Sequence, residues 1–133
     1  MILLDTHTLI WMDANDAQLG KRARQHIEAA WQANAVYVSA ITFWECAQLV
    51  ERGRIRLPVP VAQWRLSLLR AGLIERPLDG AIATQSVKLD GLHRDPADRF
   101  IAATALSLDA MLITADERLL AWQHDLVRHN ARH

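Results

Sequence analysis

Short apolar runs of strand type alternate with longer segments of helical period, and that alternation constrains the fold more than any other feature of the chain. The strand candidates are Met1–Leu4, Val36–Val38, Leu73–Ile74, Ala110–Thr114 and Leu126–Arg128. Helical spacing or capping signals mark Thr8–Met12, Lys21–Ala33, Ala40–Arg52, Val61–Ala71, Asp79–Asp90, Pro96–Leu108 and Asp116–Trp122. Asp5 or Thr6 can cap the first of these and Ser39 the third; Gly53, Gly72 and Gly91 stand where helices should stop. Asp95 followed by Pro96 is the strongest start signal, because proline suits the first helical position. Strands that alternate with helices form βαβ units, hence an α/β fold with a mainly parallel sheet covered on both faces. In such sheets ligands bind beyond the carboxyl ends of the strands, so the residues at those ends carry the functional question.

Length and composition remove several classes. The 133 residues suit one domain, expected to run over 1–133. A hydrophobic share of 51% with 23% charged residues argues against disorder. Fifteen basic residues balance fifteen acidic ones, so no global positive charge points to a nucleic-acid partner, and only its distribution can. Thirteen of those basic residues are Arg, whose planar fork suits phosphate. The one cysteine, Cys46, forms no intrachain disulfide and fits a reducing cytoplasm. Asp5 and His7 interrupt the apolar start and no basic region precedes it, which makes a poor secretory signal. No run approaches the ~18 apolar residues of a membrane span.

Four acids then stand out. Asp5 directly follows the first strand, and Asp116 lies two residues beyond the fourth. Asp98 occupies the first turn of the helix before that strand, and Glu45 lies in the helix after the second. Asp5, Asp98 and Asp116 each have an ordinary alternative role at a helix N-terminus. Glu45 does not: it is the only charge in VYVSAITFWECAQLV, and a helix this apolar is expected to be largely buried. An isolated carboxylate there needs a facing Arg or a bound cation. Asp5 is equally alone in MILLDTHTLIWM. Carboxylates that converge stay ionised only with a divalent cation between them, and all-oxygen donors suit Mg²⁺ or Mn²⁺. Such a site activates water and stabilises charge on a phosphodiester. Soft-metal spacing, Gly-rich phosphate loops and a GxSxG nucleophile motif are all missing.

With those residues placed, the chain resembles a PIN domain, and more narrowly a VapC-type toxin of a bacterial toxin–antitoxin pair. LLDTHTLIW carries Asp5, SAITFWE carries Glu45, HRDPADRFIAATA carries Asp98, and LITADERL carries Thr114 and Asp116. The match covers nearly the whole length. The resemblance implies a three-layer α/β/α domain around about five short parallel strands, and a homodimer. It implies Mg²⁺-dependent cleavage of RNA (Mn²⁺ being the other ion considered), and inhibition by a cognate antitoxin that lays a C-terminal segment over the acidic pocket. Asp5 and Asp98 would be the principal metal ligands, with Glu45 and Asp116 completing the pocket directly or through water. Asp116 has a second possible role, to position or deprotonate the attacking water. Thr114 either hydrogen-bonds within the site or only finishes its strand. His7 stands where relatives often carry a small polar residue.

Around the quartet the reading stays open. Arg94, Arg99 and Arg118 flank Asp98 and Asp116 and either grip phosphates or neutralise acids. Among the five Trp residues, Trp11 and Trp44 sit in apolar runs and should pack in the core or a dimer interface, whereas Trp64 is expected to be exposed. An RNase H-type nuclease would need several antiparallel strands after its first Asp, and here a helix follows. A receiver domain would need adjacent acids after the first strand and a Lys after the last, and the only lysines are Lys21 and Lys88. The rival from another class is a non-catalytic PIN-like module that binds RNA or protein. The intact quartet speaks against it.

Overall fold

In the computed structural model, which describes residues 1–133, five strands and seven helices alternate as the sequence pattern requires. In chain order they are β1 (Ile2–Leu4), α1 (Thr6–Asp13), α2 (Lys21–Gln32), β2 (Val36–Ser39), α3 (Ile41–Glu51) and α4 (Val61–Ala71). β3 (Ile74–Arg76), α5 (Gly80–Val87), α6 (Pro96–Leu108), β4 (Met111–Thr114), α7 (Glu117–Ala121) and β5 (Arg128–Asn130) follow. The sheet order is β3-β2-β1-β4-β5 and every pairing is parallel. This is the α/β architecture that the pattern called for, and its five parallel strands are the number that the PIN-domain resemblance implied.

The central strands are buried on both faces, and their alternation splits the core in two. Ile2, Leu4, Val36, Val38 and Ile113 join a layer with Leu9, Ile27, Phe43, Cys46, Trp64 and Leu68. Leu3 and Leu112, on the opposite side of the pleat, join Ile82, Ile101, Ala102, Leu119 and Trp122. Period-2 side chains on a doubly covered sheet require this division. β1 lies at the centre, and the chain departs on opposite sides of it toward β2 and toward β4. The crevice at the carboxyl ends of β1 and β4 is therefore the topological switch point.

Element ends differ from the sequence reading where a tertiary contact takes over. Asp5 is the N-cap of α1, so that helix begins at Thr6 rather than Thr8. Leu73 is not yet strand: Gly72, at φ 124°, closes α4, and Leu73 N–H donates to Leu68 O at 3.1 Å. β3 accordingly starts one residue later and runs to Arg76. α5 stops at Val87, and β5 sits at Arg128–Asn130 instead of Leu126–Arg128. Leu126 is buried against the α6 side of the sheet. A polar trio pairing on one side only has no apolar signature to read.

Trp64, expected to be exposed, is buried, and of the two places open to Trp44, the core or a dimer interface, it does not take the core. Trp64 is 4% exposed; its indole N–H donates to Asp13 Oδ2 at 2.8 Å and its ring meets Phe43 edge-on at 6.1 Å. Trp44 is 54% exposed, because Phe43 and Cys46 take the inward face of α3. That same geometry leaves α3 half-buried rather than largely buried as its composition suggested.

Candidate active site

The carboxyl ends of β1 and β4 open into a cleft of about 480 Å³ lined by Asp5, Glu45, Asp98 and Asp116, with Thr6, Asp95 and Arg118 among them. Asp5 follows β1 without a spacer. As the α1 N-cap it accepts from Thr6 N–H through Oδ1 at 2.8 Å, and through Oδ2 from Thr114 Oγ1–H at 2.5 Å. Thr114 Oγ1 in turn accepts from Asp116 N–H at 3.0 Å, so one hydroxyl at the end of β4 joins the first and last acids of the site. Thr114 therefore does hydrogen-bond within the site.

Glu45 reaches the cleft from α3. No arginine or lysine pairs with it or with Asp5. Its Oε1 accepts from Thr6 Oγ1–H at 2.5 Å, and Thr6 Oγ1 lies 3.2 Å from Thr42 Oγ1. Thr6 was missed in the sequence; it stands beside Asp5 in the DTHT run, where a hydroxyl read only as a possible cap. Asp98 projects from the first turn of α6 and is 6% exposed. Asp116 caps α7 by accepting from the Arg118 and Leu119 N–H groups at 2.8 and 3.2 Å.

His93 is the second residue that sequence reading missed. Its Nε2 lies 3.1 Å from Asp98 Oδ2 and is buried, but off line for a hydrogen bond. One ligand atom each from His93, Asp98 and Asp116 fall within 4.8 Å of one another, although His93 itself lines a neighbouring hollow beside Gly91 and Trp122. Asp5 and Glu45 line the acidic cleft outside that trio. The position of His93 at the head of HRDPADR, five residues before Asp98, was the available signal.

Repulsion and burial show in the protonation equilibria. Burial, followed by the charges of Asp5, Asp116, Asp95 and Glu45, pushes Asp98 up to about 8. Burial raises Glu45 to about 7 against the Thr6 hydrogen bond, and the neighbouring acids add to the rise. Asp5 is raised, mainly by burial. Burial would raise Asp116 too, but hydrogen bonds from the Arg118 side chain and the Leu119 and Arg118 N–H groups outweigh it and hold Asp116 below the usual carboxylate range.

The three flanking arginines separate into distinct roles. Arg118 Nη2 lies 3.2, 3.4 and 4.0 Å from carboxylate oxygens of Asp116, Asp98 and Asp95, so it neutralises acids. Arg99 does neither job proposed for it: it donates to the carbonyls of His93, Ser86 and Leu92 at 2.9, 2.8 and 2.7 Å. Arg94 is exposed and faces a separate hollow beside Pro96 and Phe100. Arg99→Ala would leave three carbonyls without their charged donor, and about 3 kcal/mol of stability should go with it. Urea denaturation measures this, and an unchanged midpoint would contradict the assignment.

The donor set fits a hard divalent cation. Five carboxylates, two of them buried, line one cleft; Arg118 pairs with Asp95, Asp98 and Asp116, and the other arginines of the lining, Arg54 and Arg132, form no ion pair. That is too little counter-charge to keep them ionised together. His93 adds one nitrogen donor, which Mn²⁺ accepts more readily than Mg²⁺.

A parallel α/β sheet with an acidic cleft at its topological switch point has its ligand site where open sheets of this class form one. Residues 2–123 match the PIN domain family, and the chain belongs to it. It is 40% identical over 63 residues to ribonuclease VapC22 of Mycobacterium tuberculosis (strain ATCC 25618 / H37Rv), an alignment covering 47% of this chain. The chain thus spans 46% of the length of that curated relative. The fold is similar to that in the crystal structure of VapBC2 from Rickettsia felis bound to a promoter DNA fragment, with a TM-score of 0.72, 18% identity and 98% of both chains covered. It is likewise similar to the toxin-antitoxin complex from Klebsiella pneumoniae, with a TM-score of 0.63, 23% identity, and 92% and 93% of the two chains covered.

Proposed function

We propose that the protein is a divalent-metal-dependent endoribonuclease and the toxin of a toxin–antitoxin pair. The observation that carries this reading is Glu45: without any basic partner, it shares one cleft with Asp5, Asp98 and Asp116. Asp98, Asp116 and Asp5 would hold Mg²⁺ or Mn²⁺, with Glu45 completing the pocket. When bound, such an ion acts as a Lewis acid toward a phosphoryl oxygen and lowers the pKa of water.

The chain's own residues do the rest. Thr114 and Thr6 fix the carboxylates of Asp5 and Glu45 by hydrogen bonds, so orientation does not have to be acquired on substrate binding. Glu45, held by Thr6 and free of any basic partner, would take a proton from an attacking water. Asp116, held low by Arg118 and the α7 N–H groups, is the poorer base and the better fixed negative charge.

The same reading includes the partners. VapC22 is named a ribonuclease and the Klebsiella pneumoniae structure is a toxin–antitoxin complex, which supports RNA as substrate and an antitoxin as inhibitor. A larger, mainly apolar groove of about 610 Å³ runs along α1, α2 and α4, past Met12, Leu19, Ile27, Trp31 and Leu68. It offers the antitoxin a surface that RNA would not favour. A homodimer is supported by exposed apolar side chains, Trp44 foremost. A cytoplasmic location suits the one buried, unpaired thiol, Cys46. No helix is long and apolar enough to cross a membrane.

The test is cleavage of structured and unstructured RNA by the purified protein beside its Asp5→Asn variant, with Mg²⁺, Mn²⁺ or EDTA. Cleavage should require metal and vanish in the variant. Equal cleavage by both proteins would mark a contaminant. No cleavage by either, together with no metal binding, would leave the binding-module reading.

A further inference from the structure

Of the arginines that line the acidic cleft, Arg118 is occupied by three carboxylates, while Arg54 and Arg132 form no ion pair at all. Both are exposed. We propose that Arg54 and Arg132 form a phosphate-gripping rim that seats the backbone of single-stranded RNA against the acidic cleft. This rests on the nuclease reading and identifies the residues that hold its substrate.

The argument for a built rim comes from the backbone that carries each residue. Arg54 follows the end of α3. Gly53, at φ 69°, sends its N–H to Val50 O at 3.0 Å, and Arg54 N–H reaches Leu49 O at 2.9 Å. That pair of hydrogen bonds closes a helix with a left-handed residue and fixes the direction of the chain at Arg54.

Arg132 is held more tightly still. Ala131 is fully buried; its N–H donates to Thr114 O and its carbonyl accepts from Gly20 N–H, each at 2.8 Å. A Cβ at Gly20 would stand 2.3–2.5 Å from the Arg132 and His133 backbone, so only glycine lets this segment approach. The Arg132 guanidinium lies 5.0 Å over the Trp11 ring. Trp11 itself lines the cleft beside His7. A guanidinium held over an indole face by cation–π attraction, with no carboxylate partner, has N–H donors left for phosphate oxygens.

Charge placement agrees with the chemistry. An acidic floor without a basic rim would repel a polyanion, and the net charge of zero gives no long-range help. Two guanidiniums free of carboxylates restore local attraction where the reacting phosphate must sit.

The test is binding of a fluorescein-labelled, single-stranded 12-nucleotide RNA to the full chain in EDTA, followed by anisotropy across a KCl series. Variants are Arg54→Ala, Arg132→Ala and Arg132→Lys, with exposed Arg94→Ala as control and thermal unfolding as the check on folding. Each rim alanine should weaken binding and flatten the salt dependence by about 0.7 in log–log slope, the value for one phosphate contact on single-stranded nucleic acid. Arg132→Lys should restore the slope, and Arg94→Ala should leave it unchanged. Unaltered affinity and slope in both alanine variants, with wild-type binding intact, would overturn the rim and leave the nuclease reading standing. No RNA binding by the wild type would also overturn the rim, while metal-dependent cleavage against Asp5→Asn judges the nuclease reading separately. Preference for poly-glutamate over RNA, with the same arginine dependence, would assign the rim to an acidic protein segment instead and overturn the proposal.

Discussion

Asp98→Asn should abolish metal-dependent RNA cleavage and at the same time make the metal-free protein more stable. The activity loss should exceed the roughly 10–100-fold that follows removal of a residue merely supporting a metal ligand, because Asp98 would be a ligand itself. The stability gain follows from burial. Asp98 is 6% exposed among other acids and pushed up to about 8, so folding at neutral pH requires either a buried charge or uptake of a proton. Asparagine has nearly the same shape and neither penalty. At about 1.4 kcal/mol per pKa unit, and discounting for Arg118 and His93 nearby, the gain should be about 2–4 kcal/mol at pH 7. It should shrink to nothing near pH 4, where the unfolded aspartate is protonated as well. Urea denaturation in EDTA at several pH values measures it. A variant less stable than wild type at pH 7 would mean that Asp98 serves the fold and not a cation.

The wild-type protein should lose stability in EDTA as pH rises from about 4 to about 8, and a divalent metal should give it back. Asp98 and Glu45 have folded pKa values, about 8 and about 7, above their unfolded values. The folded state therefore holds more protons than the unfolded state between those limits, and stability falls with pH across the window. Glu75, lowered by the Arg65 hydrogen bonds, acts in the opposite sense: its contribution is present above its unfolded value and disappears in acid. The metal-free optimum should therefore lie on the acid side of neutrality. A cation that binds the ionised carboxylates displaces their protons, so its stabilising effect should be larger at pH 8 than at pH 6. At a free concentration 100 times the dissociation constant it adds about 2.7 kcal/mol. Calorimetric melts with EDTA, Mg²⁺ and Mn²⁺ at these two pH values would show it. A metal effect independent of pH would place binding away from Asp98 and Glu45.

Periodicity and capping chemistry were legible in the residues themselves. α6 was readable to its ends, because Asp95, Pro96 and a run of small apolar residues all favour the same helix. β1, β2 and β4 were readable because a doubly covered strand must be apolar on both faces. Glu45 and Asp5 stood out because an isolated charge in an apolar run needs a reason, and Asp98 and Asp116 because of their places beside the fourth strand. These are local properties, carried by neighbours along the chain.

Tertiary packing decided the rest. Trp64 turned inward and Trp44 outward because a helix turns 100° per residue, and only the position of the sheet says which side faces inward. β3 and β5 shifted because closing α4 and burying Leu126 outweighed weak strand patterns. Thr6 and Arg132 gained their places in the cleft, and Thr114 and His93 theirs against its acids, from contacts across the fold: Thr114 meets Asp5 across 109 positions of sequence. No local pattern encodes such a distance, because burial, hydrogen bonding and repulsion act between groups that become neighbours only when β1 and β4 pair.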